Sequence, residues 1–141
     1  MKAKRLTELA LLSTIALTIF MIEQKTPNPF PVPGVKLGLA NIVTVFALWA
    51  LGPGQTLLIL LARCFLGSLF AGNLNALIFS LLGGLCALGT MVFLSRRRGL
   101  SLYGVSVGGA AAHNCGQIAA AVLTLGSAAP LYYLPVLLAV S

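Results

Sequence analysis

The sequence predicts an all-α integral membrane protein, a bundle of six transmembrane helices with five complete spans and a partial sixth. Hydrophobic residues make up 59% of its 141 residues and charged residues only 8%, whereas a soluble domain carries about 25% charged residues. The apolar residues fall into runs that approach the length needed to cross a bilayer, and short basic clusters lie beside those runs. This composition excludes a water-soluble globule, a disordered chain and a coiled coil.

The predicted spans follow one another as a single transmembrane domain, residues 1–141. They cover residues 6–22, 37–51, 56–70, 74–94, 102–125 and, in part, 131–141. Eleven helical residues rise only about 16 Å, against a hydrocarbon core of about 30 Å. We therefore expect that the chain is truncated within its sixth helix or that this last segment only dips into the membrane.

Basic side chains are concentrated at residues 2–5, before the first span, and at residues 96–98, between the fourth and fifth spans. The positive-inside rule places both clusters in the cytoplasm, which leaves only Lys25 and Lys36 on the outer side. The sequence thus predicts a multi-pass protein of the cell membrane with a cytoplasmic N-terminus. Topology accounts for the two clusters within the net charge of +7, although not for Lys25, Lys36 and Arg63, so the lipid bilayer is an expected partner and nucleic acid is not.

The connection between the first two spans, residues 23–36, is rich in proline. Four prolines lie between Pro27 and Gly34, and proline at this density excludes a helix and favours a stiff, extended path. On the predicted topology this loop lies outside the membrane. It is either a rigid linker or a lid over a pocket that opens outward, where stiffness would reduce the entropic cost of closing.

Arg63 lies near the middle of the third predicted span, where a charge costs several kcal/mol on insertion scales, about 2.5–3.5. The chain has only two acidic residues, Glu8 and Glu23, at opposite ends of the first span. Neither lies at the expected depth of Arg63, although the long arginine side chain could extend toward Glu23. Arg63 is therefore either bonded to carbonyls and polar side chains of the bundle or available for an anionic ligand.

The fifth span combines small residues with a polar row. Small residues recur at every fourth position, a pattern that lets another helix approach closely: Gly104, Gly108, Ala112, Gly116 and Ala120. Polar side chains in hydrocarbon must face protein or water, so those of this span either bond between helices or contact a ligand. The predicted substrate-binding residues are Arg63, His113, Gln117, Asn114, Asn41 and Lys36.

The residue types that catalysis usually needs are scarce. The sequence has no aspartate and one histidine, and its three cysteines are dispersed. Paired carboxylates, a magnesium cage, a zinc site and a phosphate-binding P-loop are therefore not expected. We expect a protein that is not an enzyme and that uses no metal or cofactor.

Two segments carry a family resemblance: PGVKLGLANIVTVFAL at residues 33–48 and GVSVGGAAAHNCGQIAAA at residues 104–121. Together with the basic N-terminus, they resemble the membrane family named heptaprenyl diphosphate synthase component I, also described as Gx transporters. Its members are similar to the substrate-binding S components of energy-coupling factor (ECF) importers. The resemblance implies an S-component-like six-helix bundle with cytoplasmic termini and an outward-facing site beneath the loop after the first helix.

Three functions are compatible with this sequence. The first is a substrate-binding subunit of an ECF-type uptake transporter, which would bind a small, anionic substrate from outside and use a coupling subunit and ATPases as partners. The alternative is a non-catalytic membrane component associated with heptaprenyl diphosphate synthesis. The third is a membrane scaffold without a ligand.

Overall fold

The computed structural model describes residues 2–27 and 38–140, and these residues form helices and no strands. The predicted all-α class is confirmed for this part of the chain. The helices are α1 (Ala3–Lys25), α2 (Asn41–Leu51), α3 (Pro53–Ala71), α4 (Leu74–Ser95), α5 (Leu102–Leu125) and α6 (Leu134–Val140), with a 3-10 helix (Ala129–Tyr133) before α6.

Three of the described helices, α1, α3 and α4, are long and apolar enough to cross a membrane, which marks the chain as a membrane protein. The 24-residue α5 is as long as these, but its polar row makes it less apolar. The 11 residues of α2 rise only about 16 Å, and α6 is shorter still. The three long apolar helices are thus established, and the full six-span bundle stays a prediction.

The first three helices begin or end at residues other than those predicted from the apolar runs of the sequence. The loop predicted to begin at Glu23 begins later, because α1 continues to Lys25. An apolar run marks the lipid-embedded part of a helix, whereas backbone hydrogen bonding continues beyond it. The third helix begins three residues early, at Pro53, since proline is well suited to the first helical position.

The second helix begins at Asn41 rather than at residue 37. Gly38 has a φ of +77°, and the Asn41 N–H donates to the Gly38 carbonyl at 2.9 Å, forming a turn before the helix. Residues 28–37 lie outside the described part of the chain. They include most of the proline-rich loop and Lys36, so the choice between linker and lid stays open.

The last segment winds differently from the single helix predicted over residues 131–141. A 3-10 helix comes first, and α6 then runs from Leu134 to Val140. Pro135 explains the change, because it has no N–H with which to form an α-helical bond to the carbonyl four residues earlier. Ser141 lies outside the described residues.

Helices α4 and α5 share the most extensive interface among the described helices. A Cβ added at Gly116 would lie 2.6 Å from the Leu82 carbonyl oxygen and 2.8 Å from Gly83 Cα, so the two backbones touch there. At Gly108 a Cβ would meet the end of the Leu94 side chain instead. The close approach predicted from the small-residue stripe is confirmed at these two positions.

One surface of the bundle, along α2, is apolar. Ile42, Phe46 and Trp49 lie on one face of this helix and are 65%, 61% and 56% exposed. Their spacing of four and three residues is that of a single stripe along a helix. Large exposed apolar side chains in such a stripe are suited to contact with lipid acyl chains.

The Gly116 contact leads to a stability prediction. Gly116→Ala should lower the free energy of unfolding by about 1–3 kcal/mol, because a methyl group meets the α4 backbone, which cannot rotate away. Thermal unfolding in detergent, followed by far-ultraviolet circular dichroism, measures the change.

Gly104→Ala is the matched control on the same helix. A Cβ there lies 3.4 Å from Leu100 Cδ2, an ordinary contact, and alanine favours a helix over glycine by about 1 kcal/mol. The control should be neutral or slightly stabilising. Equal destabilisation by the two substitutions would contradict the close approach at Gly116.

Candidate functional site

One cavity is lined by residues from five segments of the chain, in the half of the bundle where α1 ends and α2 begins. Its walls are Phe20 and Glu23 from α1, Gly38 and Ala40 before α2, Arg63 from α3, Ser80 from α4, and His113 and Gln117 from α5. The cavity encloses about 10 Å³, which is room for about one water molecule.

Arg63 is the cation of this cavity and is only 3% exposed. Its Nη2 donates to Asn41 Oδ1 at 3.2 Å, a bond between α3 and the first residue of α2. Its Nε is buried without a hydrogen-bond acceptor among the described residues. Of the two interpretations drawn from the sequence, bonding to a polar side chain is thus observed at one nitrogen, and the interpretation as a ligand site stays open.

Glu23 is the acidic residue of the same cavity and is 8% exposed. Its Oε1 accepts hydrogen bonds from the backbone N–H groups of Gly38 and Leu39, the latter at 3.4 Å. The carboxylate therefore ties the last turn of α1 to the start of α2. Glu23 and Arg63 line the same cavity and their opposite charges attract, which agrees with the expectation that the arginine side chain could extend toward Glu23.

The His113 ring lies in a slot between two glycines. A Cβ at Gly38 would lie 2.7 Å from His113 Cδ2, and a Cβ at Gly83 would lie 2.9 Å from His113 Cε1. Gly83 also allows the approach of Gln117, whose Cγ would be 3.1 Å from the same added atom. The absence of side chains at two positions therefore fixes where the imidazole can lie.

Asn114 follows His113 in sequence but forms its hydrogen bond with a different part of the chain. Its Nδ2 donates to the Leu137 carbonyl at 3.0 Å, and its Oδ1 is buried without a donor among the described residues. One residue turns an α-helix by about 100°, so Asn114 faces α6 while His113 faces the cavity. Asn114 fastens α6 to α5, and the structure does not bring it to the site.

Four of the six predicted site residues are thus brought together: Arg63, Asn41, His113 and Gln117. Lys36 lies outside the described residues. The lining residues Phe20, Glu23, Gly38 and Ser80 were not predicted from the sequence, nor was Gly83 behind the histidine. Glu23 had a usable signal, since it is one of only two acidic residues.

The arrangement is suited to binding and orienting a polar group. It combines one guanidinium, one carboxylate, an imidazole, amides and a hydroxyl within a helix bundle. Among residues 2–27 and 38–140, no three His, Cys, Asp or Glu side chains are grouped as metal ligands would be. The strongest anchor is Arg63, because a guanidinium binds carboxylates and phosphates through two parallel hydrogen bonds.

The model of the family described as heptaprenyl diphosphate synthase component I matches residues 12–141, a range that includes every residue lining the cavity. No curated protein and no solved structure matches the chain.

The Glu23 contacts generate a second prediction. Glu23→Ala should lower the free energy of unfolding by about 1–3 kcal/mol, because two backbone N–H groups lose their acceptor. Glu23→Gln keeps an acceptor oxygen and should recover part of that loss. Thermal unfolding in detergent again provides the measurement.

Glu8→Ala is the matched control, since it removes the same side chain from the other end of α1. Glu8 lies outside the cavity, so this variant should change stability much less. If Glu8→Ala and Glu23→Ala were equally destabilising, the loss would not be specific to the connection from Glu23 to the start of α2, and the prediction would fail.

Proposed function

Because the chain belongs to the heptaprenyl diphosphate synthase component I family, we propose that it is a non-catalytic membrane component of prenyl diphosphate synthesis. The observation that carries this proposal is the burial of Arg63 in a polar cavity within an apolar helix bundle. In this role the chain binds the anionic end of a prenyl-type molecule. Its apolar surface keeps the hydrocarbon end in the membrane.

The preference for an anion follows from the cost of burying Arg63. A charge at membrane depth is expensive and usually marks a functional site. The planar guanidinium matches a phosphate or carboxylate with two parallel hydrogen bonds, which an ammonium cannot reproduce. His113 and Gln117, on the same face of α5, are placed to contact the remaining polar atoms of the ligand.

The cavity is closed in this structure and too small for a ligand, since it has room for about one water molecule. A ligand must therefore move the wall formed by Gly38 and Ala40. That movement separates Glu23 from the N–H groups of Gly38 and Leu39, which then face the ligand. These groups lie in the turn directly before α2, close to the helix N-terminus, where the helix dipole favours a negative charge. The ligand anion would take the place of the Glu23 carboxylate.

In this role a partner protein performs the chemical step. Magnesium-dependent diphosphate chemistry relies on carboxylates that hold the metal, and the two glutamates of this chain lie near opposite ends of α1. Glu23 is already engaged with backbone N–H groups. The chain would supply a membrane-bound binding site, and a soluble prenyltransferase would supply catalysis.

A second candidate is the substrate-binding subunit of an ECF-type uptake transporter. The position of the cavity favours it, because the end where α1 meets α2 is the end that the positive-inside rule predicts to be outside. The proteins that copurify distinguish the two candidates. A soluble prenyltransferase supports the first, whereas a coupling subunit with ATPases supports the second.

Arg63 provides the binding test. Arg63→Gln should weaken the binding of a prenyl diphosphate by about 2–5 kcal/mol, as loss of one partner from a buried charge pair does. Arg63→Lys should restore only part of the affinity, since it lacks the planar fork. Isothermal titration calorimetry of the detergent-purified chain measures both effects.

Two controls make the result specific. The prenyl alcohol of the same chain length has no anionic group and should bind much more weakly than the diphosphate. Arg98→Gln removes one positive charge outside the cavity and should leave affinity unchanged. Equal binding of alcohol and diphosphate, or full affinity in Arg63→Gln, would make Arg63 a purely structural residue.

A further inference from the structure

A second pocket lies at the opposite end of the bundle from the Arg63 cavity. It is formed where α2 ends, α3 begins and α4 ends, and it encloses about 280 Å³. We call it the Arg96 pocket. Its lining residues are Leu48, Trp49, Pro53, Val92, Ser95 and Arg96.

The Arg96 pocket combines an apolar wall with a charged rim. Leu48 and Val92 are buried and half-buried, whereas Arg96 is exposed. Trp49 is 56% exposed, and tryptophan is enriched where membrane helices meet the headgroup region. This arrangement has the polarity of a membrane surface, with hydrocarbon on one side and polar headgroups on the other.

The charge of the rim is largely unbalanced within the chain. The sequence has nine Lys and Arg residues against two acidic residues, and Glu23 is bonded at the other end of the bundle. The neighbouring Arg97 stacks on the Phe93 ring at 4.7 Å, which keeps that side chain along the end of α4.

We propose that the Arg96 pocket binds an anionic phospholipid. Arg96 pairs with the phosphate, Trp49 lies beside the glycerol region, and Leu48 and Val92 contact the beginning of an acyl chain. Basic pockets between helices at the membrane surface bind anionic headgroups in this way. A free phosphate would leave the apolar wall uncovered, so the lipid fits the pocket better. The proposal is independent of the function assigned to Arg63.

Trp49 makes the test direct, because it is the one tryptophan in the sequence and its fluorescence reports on this pocket. The full chain is reconstituted into phosphatidylcholine vesicles that contain increasing fractions of a lipid with brominated acyl chains. Bromine quenches tryptophan fluorescence on contact. Brominated phosphatidylglycerol should reach half-maximal quenching at a mole fraction about fivefold lower than brominated phosphatidylcholine does, the gain expected for one basic residue at a membrane surface.

Arg96→Gln should abolish this preference while leaving quenching by brominated phosphatidylcholine unchanged, which also shows that Trp49 remains in contact with lipid. Arg98→Gln is the matched control, since it removes one charge from the same cluster outside the pocket, and it should retain the preference. Equal quenching of the unaltered chain by the two lipids would overturn the proposal. So would a preference that survives Arg96→Gln, or one that Arg98→Gln reduces equally.

Discussion

The burial of one positive charge, on Arg63, constrains much of this structure. Its guanidinium can remain in an apolar bundle only where other segments bring polar groups to it. Asn41, at the first residue of α2, accepts its hydrogen bond, and Glu23 reaches the same cavity because α1 extends beyond its apolar run. The polar row of α5 completes the wall. Five helices, α1 to α5, and the turn before α2 therefore contribute residues that surround or bond one side chain.

Sequence patterns predicted the helical class, the bounds of α5 and most of the polar site, because each depends on local composition and helical spacing. His113 and Gln117 were grouped correctly, since residues four apart share a helical face. Asn114 was grouped with them by chemical type, although the rotation of the helix directs it to Leu137. The contribution of Glu23 depends on a long-range approach between α1 and the turn before α2. Spacing along the chain carries no information about that approach.

The two ends of the bundle offer different environments for an anion. The Arg63 cavity is enclosed and contains a carboxylate that already balances charge, so a ligand must compete with an internal group for the same donors. The Arg96 pocket is open, and its arginine lies at the surface. Helices α3 and α4 line both the cavity and the pocket. A ligand at one end and lipid at the other would therefore contact the same two helices.

The slot around His113 limits how this sequence can diverge. Its walls are backbone atoms of Gly38 and Gly83, so a larger residue at either position displaces the imidazole. In a relative with a small residue at position 113, no imidazole would fill the space beside position 83, so a residue with a side chain could occur there. Position 38 would remain tied to glycine by its positive φ. Among relatives, a larger residue at position 83 should therefore accompany a smaller residue at position 113. Position 38 should remain glycine because of its backbone conformation alone.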